Sequence, residues 1–299
     1  MKFKNSFHPY ALVTIIFWSL AYVFTRLTLQ YFSAFSLGFL RYFIASAALI
    51  FIAVFAKLKL PRRKDIPWFL AAGGTGFFLY MIAFNQGQAQ VTSATASVVI
   101  ATVPLITALF ARFVYRERLM PFQWIAVFVE FSGVVVLTLM NGAFSLNSGL
   151  FWLLLAALSL SVYNLLQRKL TKKYTALQTS AYSILLGTCL LGVFAPTAIG
   201  EISRAPAIQY VYLAVLGIFS SAVAYVSWAK AFSKAKNTSQ VSNYMFVTPF
   251  FASLFGFLFA GEIPDSATLV GGGIILVGVM IFNFGGKLSE RRGKVKDSI

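Results

Sequence analysis

The sequence predicts an all-α integral membrane protein in which ten transmembrane helices form two inverted five-helix repeats. Three observations lead to this fold class. Apolar stretches of about 20 residues, the length that crosses a bilayer as a helix, recur along the whole chain. Basic residues cluster in every second loop and so on one side of the membrane, and the second half repeats a pattern of the first. Because hydrocarbon cannot satisfy backbone polar groups, the stretches are predicted to be helices.

The composition is that of a membrane protein. Of the 299 residues, 59% are hydrophobic and 11% are Asp, Glu, Lys or Arg, whereas a soluble domain carries about 25% charged residues. The formal net charge of +17 arises from short basic clusters between apolar stretches. Such clusters are typical of orientation signals, so we predict the lipid bilayer as a partner and no nucleic acid.

Ten spans are delimited by charge clusters, prolines and polar runs. They are predicted at 9–31, 35–56, 66–86, 93–115, 121–140, 148–168, 177–197, 207–230, 238–260 and 266–285. The first is too long for the apolar core of a signal peptide and lacks a small-residue cleavage signal, so we expect it to be retained. The loops are short, which leaves no room for a soluble domain.

The basic residues test this map and orient it. With the N-terminus in the cytoplasm, 22 of the 25 Lys and Arg residues fall on the inner side. Only Arg204 lies in an outer loop, while Arg26 and Arg41 lie within spans. A wrong number of spans would disrupt this alternation, so the pattern favours a multi-pass protein of the cell membrane with both termini cytoplasmic.

An internal repeat relates the two halves by 145 residues, without gaps, from Tyr80 to Val134. The matched pairs include Tyr80 and Tyr225, Ser97 and Ser242, Pro104 and Pro249, Glu117 and Glu262, and Gly133 and Gly278. Each half holds five spans, an odd number, so the second half must be inverted. We therefore divide the chain into repeats at 1–146 and 147–286, followed by a basic cytoplasmic tail at 287–299. Inverted repeats are a recurring architecture of secondary transporters.

Several of these motifs resemble a known family. The run from Thr92 to Pro104, followed by Arg116-Glu117-Arg118, resembles the EamA-type repeat of the drug/metabolite transporter superfamily, and its second copy runs from Lys236 through Pro249 to Gly261-Glu262. Trp18-Ser19 and Arg41-Tyr42-Phe43 resemble two further signatures of this family. In the family a glycine follows the tryptophan more often than a serine does. The resemblance implies ten helices around a central cavity and the transport of small metabolites, often outward.

Polar and aromatic residues at mid-span depth are candidates for contacting substrate. Buried amides need partners, and rings with a polar edge suit a partly apolar metabolite. The candidates are Trp18, Tyr22, Tyr80, Thr102, Tyr163, Asn164, Tyr225, Trp228 and Asn243. For each of them, simple helix packing is the alternative.

Pro104 and Pro249 lie near the middle of spans 4 and 9 and are predicted to kink them. Two roles stay open for these prolines. Backbone carbonyls freed at the kink can contact the substrate, or the kink only shapes the cavity.

Charged residues inside spans cost several kcal/mol by insertion scales, so each needs a reason. Arg26 and Arg41 are candidates for holding an anionic group, with helix anchoring as the alternative for Arg41. Glu130, the only acid deep in a span, is a candidate for proton coupling. Glu117 and Glu262 lie at span edges, where a structural role in capping the next helix is favoured.

The remaining residue types argue against other functions. One cysteine, Cys189, and one histidine, His8, predict neither a metal site nor a catalytic triad, and we expect no cofactor. Without a nucleotide-binding motif, the chain is predicted to be a secondary carrier for a small organic solute, one that is amino-acid-like, aromatic or drug-like. The family resemblance implies that export is favoured. The alternative functions are an integral-membrane enzyme, a channel and a scaffold. Both a monomer and a homodimer are compatible with the sequence.

Overall fold

Ten helical segments occupy the part of the chain that the computed structural model describes, residues 6–116, 120–140, 148–235 and 238–296. They are α1 (His8–Thr28), α2 (Ala34–Phe55), α3 (Arg63–Gln88), α4 (Ser93–Tyr115), α5 (Pro121–Met140), α6 (Ser148–Leu170), α7 (Ala176–Ile202), α8 (Ala207–Lys234), α9 (238–260) and α10 (Ser266–Lys296). Seven of these described segments, α1–α4 and α6–α8, are long and apolar enough to cross a membrane by length and composition.

The largest difference from the predicted boundaries is at the C-terminal end. α10 continues to Lys296, past the predicted end of the tenth span at residue 285 and through most of the predicted tail. No proline interrupts this stretch, and its Lys, Arg and Glu residues are good helix formers. A helix of 31 residues is about 46 Å long, which is longer than the thickness of a bilayer core, about 30 Å.

Five helices are irregular. In α7 a 3-10 segment lies at Gly192–Phe194, and the other four form two matching pairs. A π-helical segment interrupts α3 at Gly74–Leu79 and α8 at Val215–Val223. α4 breaks after Ile100, and α9 passes through a 3-10 segment at Asn243–Val247. Each regular helix then restarts just before a proline, Pro104 in α4 and Pro249 in α9, because proline has no N–H to continue the preceding hydrogen-bond ladder.

The two restarted segments have equivalent bounds. Val103–Tyr115 and Thr248–Ala260 differ by 145 residues at both ends. Each is followed by a residue with left-handed backbone, Arg116 at φ 55° and Gly261 at φ 63°. Glycine adopts this conformation freely, whereas for arginine it costs about 1–2 kcal/mol. The turn is therefore kept in the first half by its surroundings and not by local preference.

α5 and α10 form a pair at the outside of the bundle, and α5 packs mainly on α10. A Cβ atom added to Gly133 would lie 2.8 Å from the Gly271 carbonyl oxygen, and one added to Gly278 would lie 3.0 Å from the Ala126 carbonyl oxygen. Positions 126 and 271, like 133 and 278, differ by 145 residues. The contact is therefore reciprocal, and both close approaches need glycine.

The main core lies among the other eight helices. Its largest fully buried side chains include Tyr42, Phe77, Tyr163, Tyr225 and Trp228. They come from α2, α3, α6 and α8, which belong to both halves of the chain. The aromatic core thus lies where the two halves meet, and it surrounds the cavity described next.

Candidate functional site

A narrow cavity lies at the centre of the bundle, and its side chains leave about the room that one water molecule needs. Seven helices, α1–α4, α6, α8 and α9, contribute to its wall. The lining residues are Trp18, Ala21, Tyr22, Arg41, Tyr80, Phe84, Ile100, Leu160, Tyr225, Met245 and Thr248. Four of the sequence-predicted aromatic candidates thus meet in one wall, together with Arg41.

Aromatic rings form most of the polar-edged surface of this cavity. The Trp18 ring lies 5.0 Å from the Tyr225 ring and 5.0 Å from the Trp228 ring, between centroids. On the other side, the Phe84 ring lies 5.3 Å from Tyr22 and 5.5 Å from Tyr80. These separations are typical of favourable ring pairs, so the wall is well packed and suits a flat or apolar solute.

The irregular turns of α3 and α8 come just before two wall residues. Tyr80 directly follows the π-helical segment of α3, and Tyr225 follows that of α8 by one residue. A π-helical turn holds an extra residue and changes the direction in which later side chains point; such turns are frequent at functional sites. Within the first of them, Gly76 leaves space for Tyr163, since an added Cβ would lie 2.3 Å from the Tyr163 ring.

Arg41 is the one charged side chain among the described residues that line the cavity. Its side chain is 3% exposed. The Nε atom donates to the Ser221 hydroxyl at 2.7 Å, and Nη2 donates to the Ser220 carbonyl at 3.3 Å. Among the described residues, no carboxylate forms an ion pair with it, so the guanidinium has only neutral partners.

Two other donors in the wall are buried without a protein partner among the described residues. They are the Trp18 Nε1–H group and the Thr248 hydroxyl. Together with Arg41, they give the wall a surplus of hydrogen-bond donors. A buried polar group that stays unpaired costs about 1–3 kcal/mol, so these groups need an acceptor, either a solute or water.

Some predicted candidates lie behind the cavity wall. Trp228 donates from Nε1 to the Asn164 side-chain oxygen at 3.1 Å, and the Asn164 amide lies 3.4 Å from the Thr107 hydroxyl. Tyr163 packs against Phe77 with 5.0 Å between ring centroids. These residues hold the wall residues in place, because they contact Trp18 and Tyr225 from the outer side.

The predicted residues near the prolines have different positions. The Thr102 hydroxyl donates to the Val99 carbonyl of its own helix at 2.7 Å, and Pro104 starts the next segment without lining the cavity. Pro249 lines a separate apolar groove between α9 and α10. The side chain of Asn243 lies outside the described part of the chain.

Arg26 belongs to a cluster at one end of the bundle. Its Nε atom lies 3.2 Å from Glu262 Oε1, and its Nη1 donates to the Gln88 and Val91 carbonyls. Ser93 adds its backbone N–H to Glu262 Oε2 at 2.9 Å. We call Arg26, Gln88, Val91, Ser93 and Glu262 the Glu262 cluster, and the end of the bundle that holds it the Glu262 end.

At the opposite end, the His8 end, the halves are joined by hydrogen bonds and by an ion pair in which Lys173 Nζ lies 3.1 Å from Asp65 Oδ1. The His8 ring and the Tyr244 hydroxyl form a hydrogen bond between α1 and α9. The Tyr115 hydroxyl donates to the Leu165 carbonyl at 2.8 Å, between α4 and α6. Arg168 also donates to the Thr238 hydroxyl, and Thr238 is 145 residues after Ser93.

Glu130 lies away from the cavity, in the contact between α5 and α10. It is 1% exposed, and a Cβ added to Gly278 would lie 2.6 Å from its Cγ atom. Its Oε2 atom has no hydrogen-bond partner among the described residues. The structure therefore does not bring this acid to the cavity wall. Among the described residues, no group of three or more His, Cys, Asp or Glu could hold a metal ion.

The sequence analysis missed several wall residues. Phe84, Ile100, Leu160 and Met245 are apolar and have no pattern that separates them from other core residues. Thr248 had a usable signal, because it is a polar residue directly before the mid-span Pro249. Ser221, the partner of Arg41, is one of many hydroxyl residues in the spans and could not be singled out.

The amino-acid sequence matches the EamA-like transporter family twice, over residues 6–139 and 147–284. A probable terminal-alkyne amino-acid exporter of Streptantibioticus cattleyicolor is 30% identical over 281 residues, which are 94% of each chain. The uncharacterized transporter YdfC of Bacillus subtilis is 30% identical over 89% of this chain and 87% of its own. An S-adenosylmethionine uptake transporter of Rickettsia bellii is 25% identical over 81% of both chains.

A solved crystal structure has a similar fold. Its TM-score is 0.67, with 94% of this chain and 97% of the other chain covered. The two sequences are 20% identical, so this likeness concerns the fold alone.

Proposed function

The chain belongs to the EamA-like transporter family, and from this premise we propose that it is a secondary carrier that moves a small organic solute by alternating access. Membership in the family and the named relatives identify a multi-pass membrane protein that transports small molecules and is not an enzyme. The observation that carries the proposal is the central cavity, which helices of both halves line. Contacts between the halves lie at either end of the bundle.

Alternating access fits two inverted halves of five membrane-spanning helices each. The equivalent bounds of Val103–Tyr115 and Thr248–Ala260 support this arrangement, as do the matching left-handed turns. The reciprocal packing of α5 on α10 supports it further. In such an arrangement, rocking one half against the other exposes the same cavity first at one end and then at the other.

The contacts at the two ends are suited to act as gates. At the Glu262 end, Arg26 and Ser93 of the first half hold Glu262 of the second. At the His8 end, hydrogen bonds join His8 to Tyr244 and Tyr115 to Leu165, again between the halves. Opening either end requires the contacts there to separate while those at the other end remain.

The direction of transport is proposed to be outward, across the cell membrane and with both termini in the cytoplasm. The relative from Streptantibioticus cattleyicolor is named as an amino-acid exporter, while the relative from Rickettsia bellii is named for uptake. The excess of basic residues at the His8 end, which includes Lys59, Lys169 and Lys234, supports a cytoplasmic position for that end.

Cysteine labelling tests the proposal without knowledge of the substrate. Cys189 is the only cysteine, so Cys189→Ser gives a thiol-free background. Ala21 lines the cavity and is 4% exposed, and Ala21→Cys places a thiol in the wall with little change in volume. We expect a membrane-impermeant maleimide to label this thiol in both right-side-out and inverted vesicles.

A matched control uses Ala45, which is fully buried in the main core and away from the cavity. Ala45→Cys should stay unlabelled from both sides. Labelling of Ala21→Cys from one side only would contradict alternating access.

Counterflow then separates a carrier from a channel, because only a carrier speeds the entry of labelled solute when unlabelled solute is present on the other side.

A further inference from the structure

We propose that the carried solute is a small carboxylate with an apolar or aromatic body, and that Arg41 binds its carboxylate group. The inference rests on the proposed function, because it names the class of substrate that the central cavity takes. Three features of the described structure support it: the buried charge of Arg41, the donors around it, and the rings that form the rest of the wall.

The first feature is a buried charge without a protein counter-charge. Arg41 is 3% exposed, yet its hydrogen-bond partners among the described residues are only the Ser221 hydroxyl and the Ser220 carbonyl. The neutral ring of Tyr42 lies against it, with 5.7 Å between the guanidinium carbon and the ring centroid. Its Nη1 group has no protein partner among those residues. Buried charges are normally paired, and a guanidinium presents a fork of donors that fits a carboxylate with two parallel hydrogen bonds.

The second feature is the kind of polar group that accompanies Arg41. The Trp18 Nε1–H group can only donate, and the Thr248 hydroxyl can donate as well; both are buried without a protein partner among the described residues. All three residues line the same cavity. A carboxylate accepts hydrogen bonds and cannot donate them, so it complements this wall better than an amide or an amine does.

The third feature, the aromatic rings of the wall, indicates the chemistry of the part of the solute beyond its carboxylate. Trp18, Tyr22, Tyr80, Phe84 and Tyr225 surround the same space, and rings of this kind bind apolar or aromatic groups. None of the described residues that line the cavity is acidic, so this wall offers no charge partner for a solute whose only charge is positive. The cavity is therefore suited to a carboxylate attached to an apolar group.

Matched acids and amides test this inference on the unmodified protein. The probes are propanoate, 4-methylpentanoate and 3-phenylpropanoate, each compared with its primary carboxamide, which has nearly the same shape but no charge. Thermal unfolding of the purified protein in detergent measures binding. We expect 3-phenylpropanoate to raise the unfolding temperature and to bind more tightly than propanoate, and the amides to have little effect.

The variant Arg41→Gln should then weaken binding of 3-phenylpropanoate by about 10- to 100-fold, since a hydrogen bond to a charged group contributes about 1.5–3 kcal/mol. Arg41→Lys keeps the charge and should retain part of the affinity. Arg204→Gln removes a positive charge from an exposed position away from the cavity and is the matched control.

Several results would overturn the inference. They are equal binding of an acid and its amide, unchanged affinity in Arg41→Gln, and no stabilisation of the wild-type protein by any of the carboxylates. The comparison of acid and amide needs no variant, so a folding defect of Arg41→Gln would leave it intact. The proposed carrier function is judged separately by labelling of Ala21→Cys, which needs no solute.

Discussion

The surroundings of Arg26 and Arg41 show two ways in which this protein holds an arginine inside a span. Arg26 lies 3.2 Å from the Glu262 carboxylate, and its side chain is 35% exposed. Arg41 is almost fully buried and has a hydroxyl and a carbonyl as partners among the described residues. The paired arginine lies at an end of the bundle, and the arginine with neutral partners lies in the cavity.

This difference indicates different functions for the same side chain. A charge whose counter-ion belongs to the protein stabilises the state in which the two groups meet, as expected for a gate. A buried charge with neutral partners destabilises the empty protein and is stabilised when an anion arrives. Stability and transport should therefore respond in opposite ways to changes at the two positions.

The largest stability effect is expected at the Glu262 cluster. Glu262→Gln leaves Arg26 without its counter-charge and weakens the hydrogen bonds to Ser93. The pair is intermediate between a surface and a buried ion pair, so we expect a loss of about 2 kcal/mol in the free energy of unfolding. Equilibrium unfolding in lipid–detergent bicelles measures it. No change in stability would remove the basis for the gate.

The opposite sign is expected at Arg41. Arg41→Met replaces a buried charge with an apolar chain of similar length, which removes a desolvation cost. The free energy of unfolding of the solute-free protein should stay the same or rise by about 1 kcal/mol, while transport of carboxylates is lost. The same unfolding measurement applies. A clear loss of stability would indicate that Arg41 anchors helices.

A double-mutant cycle separates the pair from its surroundings. The effects of Arg26→Gln and Glu262→Gln on the free energy of unfolding should differ from additivity by about 0.5–1 kcal/mol. Either single substitution leaves the other residue with an unpaired charge, whereas the double substitution removes both charges. Arg41→Met and Ser221→Ala form the comparison cycle, with a smaller coupling expected for a charge with neutral partners. Equal coupling in the two cycles would contradict the distinction between the two arginines.

Salt should produce the smallest effect. The screening length falls from about 10 Å at 0.1 M to about 3 Å at 1 M ionic strength, and Arg26 is accessible enough to be screened. The stability difference between the wild type and Glu262→Gln should shrink by less than about 0.5 kcal/mol at 1 M NaCl. The Arg41→Met difference should not change, because that charge is buried.

The helices were largely predictable because a bilayer constrains them strongly. In α4, the predicted and observed bounds, 93–115, coincide. α10 extends beyond the predicted span because, outside an apolar stretch, no apolar pattern marks where a helix stops. The number of membrane crossings and the inversion of the halves stay predictions, and so do the domain boundaries.

The cavity was less predictable than the helices. Tyr22 and Tyr163 had equal standing as mid-span tyrosines, but only Tyr22 lines the cavity. Whether a side chain points into the cavity depends on how its helix is rotated about its own axis. In α3 and α8 the irregular turns also change the direction in which the later side chains, such as Tyr80 and Tyr225, point. Arg26 and Arg41 were likewise equivalent as candidates, because the sequence alone does not show which of them meets Glu262.

The π-helical segments of α3 and α8 also give the cavity a mechanical freedom. Each holds one more residue in a turn than an α-helix does, and one residue corresponds to about 100° of rotation. If the wide turn moved past Tyr80, that side chain would swing from the cavity towards another face of α3. Tyr225 would do the same in α8. A small sliding of the wide turn would then change the shape of the cavity without breaking either helix.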